Sequence, residues 1–506
     1  MGTDGQSEYG ATWYCGLTPP PPPLPPLNYD LDVDVCVIGG GLAGLTVARE
    51  AARRGWSVAV VEARRIAWNA SGRNSGSVLP GYSAQIEKII ERIGLPAAKA
   101  LWELSQSGVQ YVRETIAEIG NIGIIEGKGY LDVFKNPAAD RALARVRLFQ
   151  QEMGIEVESW PMERVRDALR ARCYFEAIYF PHAFQINPLA YAVGLADAAR
   201  RAGVRIFENT RAVAFDPAGV RKRIETPQGR VRAGHVVLAG NVHLGGVAQR
   251  LADTLIPSTV FTGVTRPLGE RLAGAIAFRG AIGCSPDADE HYRIVGGDRL
   301  LWTGSASVGP RSRWTQRRLE GALRARYPQL SPVQFEYFWP AEMGFAVHRM
   351  PQIGEVQPGI WLASAFGGQG LNTSAMAGEL IARAIAEGDD TWRRFLPFDL
   401  VWAGGPVGRM VVRAAAWWRR QNEAFAALAA QQSEEMRGKR QERKRKAGLA
   451  KSAPELEHRQ AASTQALKGS LPAGEYDRPI KAPEATPAAG FNPVSGLSAP
   501  ERVGQR

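Results

Sequence analysis

The stretch that decides the fold runs from Val33 to Glu62 and reads Val-Asp-Val-Cys-Val-Ile-Gly-Gly-Gly-Leu-Ala-Gly-Leu-Thr-Val-Ala-Arg-Glu-Ala-Ala-Arg-Arg-Gly-Trp-Ser-Val-Ala-Val-Val-Glu. Its first six residues, mostly β-branched, are typical of a strand buried on both faces of a parallel sheet. Glycines follow at G-x-G-x-x-G spacing, then an alanine-rich amphipathic helix that Gly55 ends, then a second apolar strand that ends on Glu62. This order predicts a βαβ unit of a Rossmann-like α/β fold.

The glycines of the turn each have a mechanical reason in a dinucleotide site. Gly39 allows the tight turn, Gly41 lets the backbone approach a pyrophosphate, and Gly44 lets the helix pack against the strand. The phosphates would lie at the helix N-terminus, where N–H groups and the helix dipole favour anions. Glu62, 18 positions after Gly44, can accept hydrogen bonds from ribose hydroxyls. A glycine-rich turn without a ligand is the alternative, and the complete strand–helix–strand–acid order disfavours it.

Composition and charge exclude several classes of protein. The chain has 506 residues and a formal net charge of +12, of which part lies in the basic run 437–446. Such a run is usually a solvated tail, although nucleic acid or an acidic membrane surface is the alternative. Four scattered cysteines without a C-x-x-C pair indicate neither a metal site nor a disulfide framework. Without a secretory leader pattern or a long apolar run, we expect a cytoplasmic protein.

Periodicity and composition divide the chain into five parts. The predicted parts are a proline-rich N-terminal extension that cannot form a core (1–29), a discontinuous cofactor-binding domain (30–100, 185–250 and 341–400), a substrate domain on a mixed, largely antiparallel sheet (101–184 and 251–340), a C-terminal helical segment (401–436) and a basic disordered tail (437–506). The helical segment carries Trp417 and Trp418 among arginines. It packs on the protein body in one interpretation and makes a peripheral membrane contact through residues 401–420 in the other.

Several further motifs follow the first one in a characteristic order. They are Ala70-Ser71-Gly72-Arg73-Asn74, Ile186-Asn187-Pro188, the strand from Val236 to Asn241, Met350-Pro351-Gln352-Ile353-Gly354, and Gly367-Gly368-Gln369-Gly370-Leu371-Asn372. With them, residues 8 to 420 resemble the FAD-dependent amine and amino-acid oxidase family (the D-amino-acid oxidase-like flavoproteins). Within that family they resemble the gamma-glutamylputrescine oxidase-like branch.

The resemblance implies FAD, rather than NAD, as the cofactor. It implies that the ADP half lies at the first glycine motif, the pyrophosphate and flavin along the Ser71 loop, the adenine at Val213, and the flavin ring near the Gly367 loop. The implied cofactor residues are Gly39, Gly41, Leu42, Ala43, Gly44, Glu62, Ala63, Ser71, Arg73, Asn74, Val213, Ala239, Gly240, Gly367, Gly368, Gln369, Gly370 and Leu371. A covalent flavin link is not expected, because Cys284 matches no attachment motif and no cysteine follows it.

One position distinguishes the substrate classes of the family. Members that oxidise α-amino acids often carry a carboxylate-clamping arginine shortly before the Pro-x-Ile-Gly step, where this chain has Met343. That favours an amine whose carboxylate, if any, is remote. The branch also commonly has Gly where Ser75 stands and His where Gln369 stands, so substrate identity is less transferable. Arg349 and Arg266 are candidates to replace the missing clamp. His348 and Arg349 could reach the site, and a surface turn is the alternative for both. For His182, His291 and Trp302 the alternatives are a packed loop histidine, an ordinary strand pair and a core position.

The implied reaction is oxidation of the C–N bond of an amine, gamma-glutamylputrescine-like or another primary or secondary amine. Hydride would pass to the flavin, and O2 would accept the electrons to give H2O2. The alternatives are an amino-acid dehydrogenase that reduces a quinone or carrier protein, an RNA-directed (tRNA-modifying) flavoprotein, and a flavin-binding protein without turnover. The basic run lacks interleaved aromatics, so the expected partners are a small-molecule amine and O2 and no specific nucleic acid.

Overall fold

The glycine-rich stretch forms the centre of a parallel sheet in a computed structural model that describes residues 9–120, 123–285, 290–305 and 312–405. Within these residues the first sheet contains β1 (Leu31–Ile38), β2 (Val58–Val61), β7 (Arg205–Phe207), β8 (Ala214–Asp216), β9 (Lys222–Glu225), β10 (Arg230–Leu238), β16 (Gln352–Gln357) and β17 (Ile360–Ser364). The strand order is β16-β17-β10-β1-β2-β7, and only β16 runs antiparallel in it. The hairpin β8–β9 pairs with β10.

Helices cover the sheets in the described part of the chain. They are α1 (Trp13–Leu17), α2 (Leu42–Arg53), α3 (Ala70–Arg73), α4 (Ile86–Ile93), α5 (Leu95–Ile119), α6 (Ala139–Arg147), α7 (Met162–Leu169), α8 (Pro188–Arg201), α9 (Gln249–Ala252), α10 (Glu270–Ala275), α11 (Ser312–Arg326) and α12 (Gly370–Glu387). The predicted βαβ unit, β1-α2-β2, is confirmed. Helix α2 packs between α8 and α12. The approach of α12 is so close that a Cβ at Gly378 would lie 2.5 Å from Thr46.

The second sheet is mixed and largely antiparallel, as predicted. Its described strands are β3 (Ser77–Val78), β4 (Ile125–Phe134), β5 (Glu158–Trp160), β6 (Ala177–Ile186), β11 (Ile256–Thr265), β12 (Ala281–Ser285), β13 (Glu290–Val295), β14 (Arg299–Ser305) and β15 (Phe335–Phe345). Of the pairs among them, β4–β12 is parallel. One face packs into a core with Tyr292 stacked on Trp302. The predicted domain bounds stay predictions, and β6 and β15 each cross one of them.

The N-terminal extension contributes to the core, so the prediction that it cannot is wrong. Tyr9, Tyr14, Cys15 and Leu27 are all buried, and α1 lies among them. The prolines between residues 19 and 26 form no helix or strand. The error arises because the aromatic residues before the prolines, and not the prolines themselves, supply the apolar surface.

Two predicted parts of the chain lie outside the described residues. They are most of the 401–436 segment, with Trp417 and Trp418, and the whole 437–506 tail. The proposals of a membrane contact and of a basic tail therefore stay predictions. Among the helices that the structure does describe, none combines the length and the apolar character that crossing a membrane requires.

A buried ion pair ties the N-terminal extension to the first sheet. Glu208, directly after β7, accepts from Arg65 Nε at 2.8 Å, and the two side chains are 2% and 1% exposed. The same carboxylate accepts from the backbone N–H groups of Ile66 at 2.6 Å and Leu24 at 2.7 Å. Arg65 Nη2 donates to the carbonyl of Pro21 at 2.7 Å. Removing one charge would leave the other buried without its partner.

We expect Glu208→Gln to lower the free energy of unfolding by about 3 kcal/mol or more, because a broken buried pair leaves an uncompensated charge. Urea unfolding followed by circular dichroism measures the change. Glu156→Gln is the matched control, since its carboxylate contacts His182 at 2.7 Å with both side chains more than 70% exposed, and it should cost under about 1 kcal/mol. Equal losses in the two variants would contradict the expectation.

Candidate active site

The turn after β1 is tied to the end of β2 by one carboxylate. Glu62 Oε2 accepts the Gly40 N–H at 2.7 Å, and Glu62 Oε1 accepts the Arg64 N–H at 2.8 Å. Burial raises the pKa of Glu62, and these two N–H groups oppose that shift. A carboxylate offers about four acceptor sites, so Glu62 retains capacity for the ribose hydroxyls of a dinucleotide. Ala63 lies exposed directly after it.

Helix α2 begins at this turn without a side-chain cap. Its N-cap is Gly41, and the N–H of Leu42 donates to Ser71 Oγ at 3.1 Å. A Cβ at Gly44 would lie 2.1 Å from the carbonyl oxygen of Gly39, so only glycine lets the helix start this close to the strand. The N–H groups of a first helical turn have no partner within the helix. Apart from the N–H of Leu42, which Ser71 accepts, they fit the pyrophosphate of a dinucleotide.

The loop from residue 63 to residue 76, between β2 and β3, is called the cofactor loop below. In it, Arg73 Nη2 donates to the carbonyl of Tyr9 at 2.6 Å. Arg73 Nε is buried and has no hydrogen-bond partner among the described residues. Burial lowers the pKa of Arg73. Contact between the Arg73 guanidinium and an anionic group of the cofactor stays a prediction.

Two of the predicted cofactor residues use their polar groups within the protein. The side chain of Asn74 donates to the carbonyl of Ala70 at 3.0 Å and accepts the N–H of Gly76 at 2.9 Å, so it shapes the cofactor loop. The N–H of Gly368 donates to Ser83 Oγ at 2.9 Å. Contacts between these groups and a flavin stay predictions.

Most of the remaining predicted cofactor residues lie at the carboxyl ends of strands in the first sheet, and Val213 lies directly before β8. Ala239 and Gly240 follow β10, and residues 367–371 form the turn after β17 and the start of α12. The ends of β1, β10 and β17 are neighbours in the sheet, where ligands of open α/β sheets bind. Val213 is 48% exposed, and its N–H donates to the carbonyl of Glu225 at 2.8 Å. That N–H is therefore not free for an adenine.

The second sheet turns one face, called the inner face below, toward the cofactor loop. On β15, the indole N–H of Trp339 donates to the carbonyl of Arg73 at 3.0 Å. Side chains four residues apart on a strand share a face, so Met343 lies on the inner face too, where it is half-buried. Phe345 follows on the same face, and its ring would lie 2.5 Å from a Cβ at Gly367. The structure thus brings Met343 between the cofactor loop and the Gly367 turn.

The two other predicted catalytic residues, His348 and Arg349, lie in the turn between β15 and β16. His348 Nδ1 accepts the N–H of Met350 at 3.1 Å, and Nε2 donates to the carbonyl of Asp399 at 3.1 Å. Both ring nitrogens therefore hold the turn, and a proton-transfer role for His348 stays an unsupported prediction. Arg349 is exposed, with its guanidinium carbon 5.4 Å from the centroid of the Phe345 ring. It marks the Phe345 end of the inner face.

His291 lies on the inner face of the second sheet, a position that its sequence context does not indicate. Residues directly opposite each other on neighbouring strands share a face of the sheet. Trp339 is opposite Thr262, Thr262 is opposite Thr303, and Thr303 is opposite His291. His291 therefore lies on the inner face with Trp339. Its Nε2 lies 2.7 Å from Ser77 Oγ, directly after the cofactor loop, while Nδ1 is buried without a partner among the described residues. Burial lowers the pKa of His291 to about 3. A strand neighbour several elements away cannot be read from sequence, and alternation along β13 is the only local signal.

We expect His291→Gln to reduce the loss of free energy of unfolding that occurs as the pH falls below neutral. The folded pKa of about 3 lies below the unfolded value. The neutral imidazole therefore makes its whole contribution to the free energy of unfolding above about pH 6.5, and this contribution is lost as the pH falls toward the pKa of the folded state. Urea unfolding at about pH 7 and about pH 4.5 should differ less for this variant than for the unmodified chain. His182→Gln, at an exposed ring, should match the unmodified chain, and equal pH dependence in all three would contradict the assignment.

We expect Glu62→Gln to raise the FAD dissociation constant about tenfold to a hundredfold, since hydrogen bonds to a charged acceptor contribute about 1.5–3 kcal/mol. The amide cannot accept from Gly40 and from the ribose as the carboxylate does. Quenching of FAD fluorescence on titration with apoprotein measures the constant. Glu225→Gln is the control, because that side chain is exposed on the same sheet. An FAD dissociation constant that Glu62→Gln leaves unchanged would contradict the assignment of Glu62 to the cofactor site.

The chain is similar to known proteins in both sequence and fold. The chain is 30% identical over 388 residues to the gamma-glutamylputrescine oxidoreductase of Escherichia coli (strain K12), covering 75% of this chain and 89% of that protein. Its fold is similar to the glycine oxidase of Geobacillus kaustophilus, with a TM-score of 0.60 at 19% identity over 73% of this chain and 99% of that one. L-proline dehydrogenase from P. horikoshii gives a TM-score of 0.60 at 18% identity, over 73% and 98% of the two chains.

The family model that matches describes FAD dependent oxidoreductases and extends over residues 34–384. That range runs from the strand before the glycine turn to the helix after the Gly367 turn, so it contains both ends of the site. The free acceptor capacity of Glu62 fits the ribose of such a cofactor. The chain belongs to the DAO family of FAD-dependent oxidoreductases, with FAD as its cofactor.

Proposed function

We propose that the chain oxidises the C–N bond of an amine that has no carboxylate on the reacting carbon, with O2 as the electron acceptor. The observation that carries the proposal is Met343, half-buried on the inner face between the cofactor loop and the Gly367 turn. A thioether there can pack against the carbon chain of a substrate, but it cannot hold a carboxylate as a bidentate guanidinium does. The substrate would therefore bind through its apolar chain.

The cations elsewhere on the inner face support the same substrate class. Among the described residues of β13 and β14, the two arginines on this face are Arg293 and Arg299. Arg293 Nη2 lies 2.6 Å from Glu126, and Arg299 Nη1 lies 2.5 Å from Glu336. A guanidinium already neutralised by a carboxylate gains little from a second one. An α-carboxylate would thus meet no free cation on these strands.

Arg349 supports recognition of an anionic group at a distance from the reacting amine. It is exposed, and no carboxylate of the described residues lies within ion-pair distance of it. Its guanidinium packs over Phe345, whose ring faces the Gly367 turn. A substrate lying along Phe345 would reach Arg349 with its far end. The relative named gamma-glutamylputrescine oxidoreductase has, by its name, a substrate with a glutamyl group remote from the terminal amine.

The residues of the inner face would prepare the amine for reaction. When bound, FAD would supply the acceptor for a hydride from the carbon next to nitrogen and would transfer the two electrons to O2 to give H2O2, while water would hydrolyse the imine. Met343 and Phe345, both half-buried on the inner face, would offer the reacting carbon an apolar surface that excludes water and favours the neutral amine. His291, neutral at physiological pH because of its burial, adds no positive charge that would repel the substrate.

We expect Arg349→Gln to raise the KM for gamma-glutamylputrescine about tenfold, a loss of about 1.4 kcal/mol, with little change in kcat. The KM for putrescine, which lacks the remote carboxylate, should not change. Anaerobic flavin bleaching followed by steady-state H2O2 release measures both. Arg394→Gln is the matched control, since Arg394 is also exposed. Rapid bleaching by D-alanine or glycine and by no amine would overturn the assignment of Met343, and reduced flavin that air fails to reoxidise would overturn the choice of O2.

A further inference from the structure

Residues 9–27, called the N-terminal strap below, lie across the cofactor loop. At its C-terminal end the N–H of Leu24 donates to Glu208 at 2.7 Å and the N–H of Leu27 donates to Thr210 Oγ1 at 3.0 Å. At its N-terminal end the strap contacts the segment that carries Arg73. It therefore spans the cofactor loop from the end of β7 to the second sheet.

Tyr9 holds Arg73 from the strap. Its carbonyl accepts from Arg73 Nη2 at 2.6 Å, and its hydroxyl donates to the carbonyl of Ile66 at 2.8 Å. The Tyr9 ring is 2% exposed, and the guanidinium carbon of Arg65 lies 5.2 Å from its centroid. One residue of the strap thus binds both the start and the end of the cofactor loop.

Tyr14 holds the next residue of the loop. Its hydroxyl donates to the carbonyl of Asn74 at 2.8 Å and lies 3.5 Å from Arg293 Nη2. The side chain is fully buried, and burial raises the pKa of Tyr14 to about 12, so the hydroxyl keeps its proton at physiological pH. Arg293 in turn donates through Nε to the carbonyl of Ser75 at 2.9 Å. The loop after Arg73 is therefore clamped between the strap and β13.

These contacts prepare Arg73 for an anion. A long side chain loses rotamer entropy when it is fixed in one position. If this loss occurs when the ligand binds, it weakens the affinity for the ligand. Because the strap already holds Nη2, the Arg73 guanidinium is fixed beside the cofactor loop before a ligand binds. Without the strap, Arg73 would lose a fixed acceptor, and the carbonyl of Asn74 would lose its donor.

We propose that the N-terminal strap is part of the cofactor site: docking of residues 9–17 and binding of FAD stabilise one another, and Tyr9 and Tyr14 are positioning residues for Arg73 and Asn74. Linkage requires the effect to be reciprocal. FAD slows undocking of the strap, and loosening the strap weakens FAD binding. The coupling depends on the cofactor and does not depend on which amine is oxidised.

Cys15 reports docking of the strap in the unmodified protein. It lies in α1, is 5% exposed, and accepts a hydrogen bond from Thr12 Oγ1 at 3.1 Å. A thiol reagent therefore reaches it when the strap opens. We expect saturating FAD to slow labelling of Cys15 in the apoprotein at least about fivefold, measured by peptide mass spectrometry. Cys173, which is partly exposed and packs beside the core of the second sheet, is the internal control and should label at the same rate.

Tyr14→Phe tests the coupling from the other side. We expect it to raise the FAD dissociation constant at least about fivefold, measured by quenching of FAD fluorescence, and Tyr9→Phe to act in the same direction. Tyr29→Phe is the matched control, because that tyrosine lies just beyond the strap and is 47% exposed. It should leave the constant unchanged.

A strap that serves only the fold would give a different result and would overturn the proposal. Tyr14→Phe would then lower the unfolding temperature, while the FAD dissociation constant and the ratio of Cys15 labelling rates with and without FAD would not change. If Tyr14→Phe fails to fold, the labelling ratio of the unmodified protein decides alone. Neither measurement uses an amine, so failure of the proposed amine oxidation would leave this outcome intact.

Discussion

The carboxylate of Glu62 is the acceptor on which the cofactor end of the first sheet depends. It receives the N–H of Gly40 from the turn after β1 and the N–H of Arg64 from the start of the cofactor loop. One side chain therefore sets the spacing between the N-terminus of α2 and the loop that carries Arg73. Burial disfavours its charge, and the two backbone donors offset that cost. The residue predicted to bind the ribose thus also has a structural role.

Three separate parts of the chain converge on the cofactor loop. Glu208 holds its start through Ile66, Trp339 of the second sheet holds the carbonyl of Arg73, and Tyr14 of the N-terminal strap holds the carbonyl of Asn74. No local signal in the loop specifies these partners. Because backbone carbonyls and N–H groups make most of the contacts, the shape of the loop depends on tertiary packing more than on its own side chains.

The inner face of the second sheet combines an apolar wall with charges that are already neutralised. Met343, Phe345 and Trp339 supply the wall, and Arg293 is paired with Glu126. Such a surface excludes water without offering a carboxylate clamp. Substrate discrimination would then come from the ends of the site, where Arg349 stands exposed over Phe345.

The sequence by itself determined the βαβ unit, its glycine turn and the position of Glu62 at the end of β2, because these features follow from local periodicity and fixed spacing. It also located Met343 through a likeness in motif order, but the face that Met343 occupies depends on strand register. His348 looked available for chemistry, whereas the turn it occupies uses both of its ring nitrogens. The strap was missed because the partners of Tyr9 and Tyr14 lie 57 and 60 residues away. Tertiary structure alone decided these points, since buried hydrogen bonds and ion pairs form between groups that only the folded chain brings together.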